Sequence, residues 1–229
     1  ALIWGSTWLA ITFQLGVVEP EVSVVYRFAL AAAILFVWCG ARGQRLRFQP
    51  RTHAWLALQG STLFGLNYVG VYLAERYVAS GLVAVAFSTL VFVVPIGARL
   101  AFGTPVQARV AVGAMIGVVG IASMFLPELR VAAVGGIAAL GVAFALGSTV
   151  IAAIGNLVTV RLQRDKVPTL SRTARGMGYG ARTAAALAWP SGSAWAFDWD
   201  FAYVASLMYL SVFGSIIAFG TYFRLIEHV

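Results

Sequence analysis

Few residues in this sequence could do chemistry, and the most conspicuous are arginines inside apolar runs. Arg27 and Arg182 both interrupt stretches otherwise built for hydrocarbon. A charge there is costly and is by default a functional hypothesis. A guanidinium can hold a carboxylate through two parallel hydrogen bonds. Arg27 lies about one and a half turns inside its run, counted at 3.6 residues per turn. It can snorkel to the headgroups, or it can stand at a cavity mouth and meet a substrate carboxylate. Arg182 lies mid-run. Arg172, Arg175 and Arg182 share one helical face. Such a face cannot meet lipid, so it borders water, another helix, or a path attractive to carboxylates.

The acids are informative by where they are missing. Glu75 and Glu227 stand at run ends, and no Asp or Glu falls within a run core. Obligate exchange of protons for organic cations needs a buried carboxylate, so that chemistry is disfavoured. The sole lysine, Lys166, lies in a polar break, where it cannot hold a retinal Schiff base. His53 and His228 sit at run edges. No intramembrane Ser–His pair or paired Asp is present for proteolysis. The sequence predicts no catalytic residue, no metal site and no cofactor.

What remains is amide, hydroxyl and aromatic: Thr7, Gln59, Asn67, Ser88, Asn156 and Tyr179, with Trp4, Tyr68, Tyr72 and Tyr209. An amide in hydrocarbon needs partners. It finds them by joining helices or by meeting a ligand. Tyr68 and Tyr72 are one helical turn apart beside Asn67. Small-molecule sites are mostly apolar with a few placed polar groups. Trp4, Asn67, Tyr72, Asn156 and Tyr179 are therefore expected to line one central cavity.

The elements carrying these residues must be membrane helices. The chain has 229 residues, of which 61% are hydrophobic and only 10% charged. Soluble domains carry about a quarter charged residues. A bilayer core needs about 20 apolar residues per helix. Eight runs qualify: 1–18, 22–40, 54–73, 80–100, 109–126, 133–160, 173–190 and 201–223. The first has no basic lead-in and no cleavage site, and reads as a true helix. The lone cysteine, Cys39, excludes a disulfide framework.

The net charge of +8 is a topology signal. Segments 41–53, 99–109, 161–175 and 224–228 hold Arg42, Arg45, Arg47, Arg51, Arg99, Arg109, Arg161, Arg164, Lys166, Arg172, Arg175 and Arg224, which is 12 of 16 bases. The opposite loops hold Arg76 and Arg130, with Glu19, Glu21, Glu75, Glu128, Asp198 and Asp200, six of eight acids. Basic loops face the cytoplasm, which puts both ends of this chain there. Trp55, Trp189, Trp195 and Trp199 fit an interfacial belt. Gly113, Gly117 and Gly120 in the fifth run suit close helix contact, within the monomer or a homodimer.

The pattern repeats. Gly5-Ser6-Thr7 returns as Gly147-Ser148-Thr149, and Arg27 before an Ala/Leu run returns as Arg182 before another. Gly70-Val71-Tyr72 before Glu75 returns as Gly220-Thr221-Tyr222 before Glu227. Helices 6 to 8 thus match helices 1 to 3. Five helices separate the copies, an odd number, so the second copy is inverted, as in many transporters. Residues 1–126 form the first repeat (helices 1–5). Residues 133–229 form a second, inverted and incomplete one (helices 6–8), implying about two further helices.

Trp4-Gly5-Ser6-Thr7, Tyr26-Arg27-Phe28-Ala29-Leu30-Ala31, Leu73-Ala74-Glu75-Arg76-Tyr77-Val78 and the stretch from Tyr209 to Ala218 with Tyr222-Phe223-Arg224-Leu225-Ile226-Glu227 carry a resemblance. They resemble EamA-type permeases of the drug/metabolite transporter superfamily. Gly155-Asn156 and Gly176-Met177-Gly178-Tyr179-Gly180-Ala181 look like the amino-acid exporter subgroup named YddG. The resemblance implies ten helices as two inverted halves and a multi-pass protein of the bacterial inner membrane. It also implies export of small metabolites, with aromatic or other neutral amino acids favoured.

The combined expectation is an all-α, polytopic, inverted-repeat carrier that exports small zwitterionic metabolites by alternating access. Its substrate cavity draws on Trp4, Thr7, Asn67, Tyr68, Tyr72, Ser88, Asn156, Tyr179 and Tyr209, with Arg27 and Arg182 as carboxylate ligands. Its partners are a small-molecule substrate and lipid, not nucleic acid. A zwitterion has no net charge for the membrane potential to act on, so uniport or gradient-driven exchange is expected. The alternatives are a broad drug or metabolite carrier, a sugar-phosphate or nucleotide-sugar carrier, and a structural membrane protein that transports nothing.

Overall fold

A computed structural model describes residues 2–124, 126, 130 and 136–227. Glu128 and His228 lie outside them. The described residues form eight helices and no strand. They are α1 (Leu2–Thr12), α2 (Pro20–Ala41), α3 (50–75), α4 (Ser80–Phe102), α5 (Ala108–Met124), α6 (Ile137–Arg164), α7 (Thr169–Ala188) and α8 (201–227). α2, α4, α6 and α8 are each long and apolar enough to cross a bilayer unaided.

Local chemistry sets the boundaries. Pro20 and Pro50 open α2 and α3, where a fixed φ and a missing N–H cost nothing. The Asp200 carboxylate accepts from the Ala202 N–H at 2.9 Å and caps α8. Gly103, at φ +70°, ends α4. α1 is shorter than its apolar run. It stops at Thr12, and the next residues turn through Gly16 at φ +130°. The buried Gln14 then donates to the Tyr203 carbonyl at 2.8 Å and to the Ser206 hydroxyl at 2.6 Å, so this segment is pinned to α8.

Two helices carry a wide π interval. In α3 it spans Gly60–Leu66, after Pro50–Gln59 and before Asn67–Glu75. In α8 it spans Leu210–Ile217, after Phe201–Tyr209 and before Ala218–Glu227. Such intervals widen a helix at functional places.

α7 packs mainly on α2 and on the π interval of α3. Gly60 and Gly180 allow this, because their backbones meet. A Cβ on Gly180 would lie 2.5 Å from Phe64 Cβ and 3.0 Å from the Gly60 carbonyl oxygen. One continuous core, including Phe28, Phe64, Tyr72, Met177 and Phe223, joins α2, α3, α7 and α8. The expected glycine contact of α5 is not made among the described residues, where Gly113, Gly117 and Gly120 have no neighbour within 4 Å.

The two loop sets gather at opposite ends. At the acidic end Arg76 pairs with Glu19 at 2.7 Å, Tyr26 donates to the Ala196 carbonyl, and Ser23 bonds Tyr203. At the basic end Arg175 donates to the Leu46 carbonyl, Gln163 reaches the Phe223 carbonyl, and Arg161 lies over Trp55.

Candidate functional site

Between α1, α3, α4, α6 and α8 lies a cavity of about 380 Å³. α1 contributes Trp4, Thr7, Trp8 and Ile11, and α3 contributes Leu63, Asn67, Tyr68 and Val71. Ala84, Phe87 and Leu90 come from α4, Ala152 and Asn156 from α6, and Phe219 and Tyr222 from α8. The wall is mainly aromatic. The Trp4 ring packs on Phe219 and Tyr222 with centroids 5.3 and 5.1 Å away, and Trp8 packs on Phe87 at 5.3 Å.

The polar points are few. Asn156 donates to the Ala152 carbonyl and accepts from the Tyr222 hydroxyl, each at 2.9 Å. Asn67 donates to the Leu63 carbonyl at 3.1 Å. Its Oδ1 and the Trp4 Nε1 are buried without a partner among the described residues. Neither atom is exposed to the cavity in this conformation. No Lys, Arg, Asp or Glu lines the cavity among the described residues.

Charge stands one layer back. Arg27 is wholly buried, so it does not snorkel. Its guanidinium carbon lies 4.5 Å from the centroid of Tyr68, a cavity residue, and 5.2 Å from that of Phe28. Its Nε donates to the Ser215 hydroxyl at 3.1 Å, and its carbonyl accepts from Ser211, both in the π interval of α8. Nη1 and Nη2 have no hydrogen-bond acceptor within range among the described residues. Glu75 is also buried, at 9% exposure, with both carboxylate oxygens unbonded. Arg27 acts electrostatically on Glu75 and Tyr72. The expectation of no carboxylate in the interior therefore fails at Glu75, because the helical end of α3 is covered rather than exposed.

Of the cavity residues expected from sequence, Trp4, Thr7, Asn67, Tyr68 and Asn156 line this one space. Tyr72 does not: it is fully buried in the core beside Arg27. Ser88 turns back to the Val85 carbonyl at 2.6 Å. Tyr209 bonds Ser6 at 2.6 Å on another face of α1. Tyr179 bonds His53 Nδ1 at 2.9 Å and borders a separate groove with Arg175 and Arg182. The expected basic face of α7 fans out. Arg172 is buried over the Phe223 ring at 5.1 Å, Arg175 is half-buried, and Arg182 is exposed. Neither Arg27 nor Arg182 lines the cavity. Gln59 joins helices by donating to Thr159 at 2.6 Å. Sequence reasoning missed Trp8, Phe87, Phe219 and Tyr222. Tyr222 carried a signal, since Gly220-Thr221-Tyr222 echoes Gly70-Val71-Tyr72.

Helices long and apolar enough to cross a bilayer, set around an interior cavity, define a polytopic helical membrane protein. The model of the EamA-like transporter family matches residues 1–126, and the chain belongs to that family. Protein PagO of Salmonella typhimurium strain LT2 is similar at 26% identity over 128 residues. That match covers 56% of this chain and 42% of PagO, so it spans less than half of the curated relative. A solved crystal structure superposes with a TM-score of 0.70 at 20% identity, over 97% of this chain and 74% of its own. This likeness concerns the fold.

Proposed function

We propose that the protein carries small zwitterionic metabolites, with neutral and aromatic amino acids the favoured class, by alternating access. The observation that carries this reading is the cavity itself: an apolar wall rich in aromatic rings, with Asn67 and Asn156 as its amides and no charged side chain among the described residues. Its volume suits a small amphipathic molecule. A phosphorylated substrate would need a cation in the wall, and an organic cation would need an anion. Arg27, whose guanidinium lies over the Tyr68 ring, is the group we assign to the substrate carboxylate.

In this reading residues 1–126 and 133–229 are inverted copies. Two offsets support it. Gly70-Val71-Tyr72 and Gly220-Thr221-Tyr222 lie 150 positions apart, and so do the π intervals that begin at Gly60 and Leu210. The basic end faces the cytoplasm. Gln14 to Ser206, Ser23 to Tyr203 and Arg27 to Ser215 are hydrogen bonds that tie the segment after α1 and α2 to α8, and in this reading they form the gate on the acidic side.

The test is flux in reconstituted liposomes with a panel of neutral amino acids, organic cations and phosphorylated sugars. Neutral amino acids should move fastest, and Asn67→Ala should slow them while leaving thermal stability within about 1 kcal/mol. Faster movement of a cation or a phosphate would overturn the reading.

A further inference from the structure

We infer that a groove at the basic end is a binding site for an anionic phospholipid. It holds about 570 Å³ between α2, the α6–α7 turn and α8. Two cations stand at it, Lys166 and Arg224, both exposed. Lys166 is held there by the turn itself, where it takes φ +56° between α6 and α7. Below the cations the walls turn apolar, with Leu35 and Trp38 of α2 facing Ile216 and Ile217 of α8.

That sequence of surfaces matches one phospholipid: a phosphate at the charged rim and an acyl chain along the apolar walls. Basic pockets between membrane helices take anionic headgroups in this way. No carboxylate lines the groove among the described residues. Trp38 is 48% exposed and also borders a second groove, formed by Ala33, Ile34, Val37, Ala41 and Arg42. The chain path thus continues along an outward face of α2. The site is separate from the central cavity.

The wild-type protein in nanodiscs provides the assay. Trp38 emission is isolated as the difference between wild type and Trp38→Phe. It is quenched with brominated phosphatidylglycerol or brominated phosphatidylcholine, which share a phosphate but differ in net charge. Phosphatidylglycerol should quench at a mole fraction roughly tenfold to thirtyfold lower, given about fivefold per basic residue near the surface. Lys166→Gln with Arg224→Gln should erase that preference, whereas Arg99→Gln, on α4, should keep it. If the double variant does not fold, 0.5 M salt applied to wild type replaces it, since screening of an exposed charged rim should collapse the preference. Inorganic phosphate at millimolar concentration should not compete. Equal quenching by the two lipids overturns the site, as does a preference that survives both the double variant and salt. Displacement by inorganic phosphate overturns the lipid as occupant.

Discussion

α3 and α8 share one backbone device and fix it differently. Both carry a π interval, after helical stretches of 10 and 9 residues. In α3 the interval lies backbone to backbone against α7, and glycines on both helices make the approach possible. In α8 side chains hold it. Ser215 accepts from Arg27, Ser211 donates to the Arg27 carbonyl, and a Cβ on Gly214 would meet Thr7 Cγ2 at 2.8 Å. Backbone packing has no rotamers to change, whereas side-chain packing does. The comparison teaches that the α3 interval is held chiefly by backbone contact, with Ser61 bonded to Thr183, and the α8 interval by side chains; under the proposed alternating access α8 is the wall that shifts.

Breaking the α8 attachment should have the largest effect. Arg27→Met removes the hydrogen bond to Ser215, the cation over the Tyr68 ring and the opposite charge that acts on buried Glu75, a loss of about 2–3 kcal/mol. Flux should vanish, and the melting temperature in detergent should fall by roughly 10 °C. Adding Glu75→Gln should recover stability but not flux. A double variant no more stable than Arg27→Met would show that the two groups are not coupled.

The α3 contact is tested next. Gly180→Val drives methyl groups into Phe64 and the Gly60 carbonyl and should cost about 2–3 kcal/mol, read by thermal unfolding. Its effect on flux should follow from lost folded protein, not from a changed KM. Asn156→Ala removes the bond to Tyr222 that ties the shifting wall to α6. It should cost about 1 kcal/mol and lower flux several-fold, measured in liposomes. Gly214→Ala should have the smallest effect, under about 1 kcal/mol, because Thr7 can change rotamer. A Gly214→Ala penalty as large as that of Gly180→Val would erase the distinction between the two helices.

The bundle was legible in the sequence because hydropathy and loop charge both report on a whole segment. The eight runs and the two loop ends need no knowledge of which face turns inward. The site was legible only in part. Asn67, Tyr68 and Tyr72 sit together in sequence, but Tyr72 turns into the core beside Arg27 while Tyr68 turns to the cavity. The π interval precedes both and leaves their one-turn spacing unchanged, so Tyr72 differs only in lying a turn further along α3, beyond the cavity and beside Arg27. Glu75 was misjudged for a related reason: a helix end is exposed only if no neighbour covers it. Tyr179 was drawn away by His53, which is distant in sequence.

The polarity of α7 bears on how the protein enters the membrane. α7 is absent from the four helices able to span a bilayer by composition, and it carries Arg172, Arg175 and Arg182. Each arginine costs about 2.5–3.5 kcal/mol on leaving the translocon at the centre of a lone helix. α7 cannot partition into lipid on those terms. Its main packing partners, α2 and α3, precede it in the chain and so are already inserted when it emerges. Arg175 finds the Leu46 carbonyl on that earlier surface, while the Phe223 ring over Arg172 arrives only with α8. Biogenesis therefore passes through a stage in which α7 is held by glycine contacts to α3, and the order of helices along the chain serves as an assembly schedule.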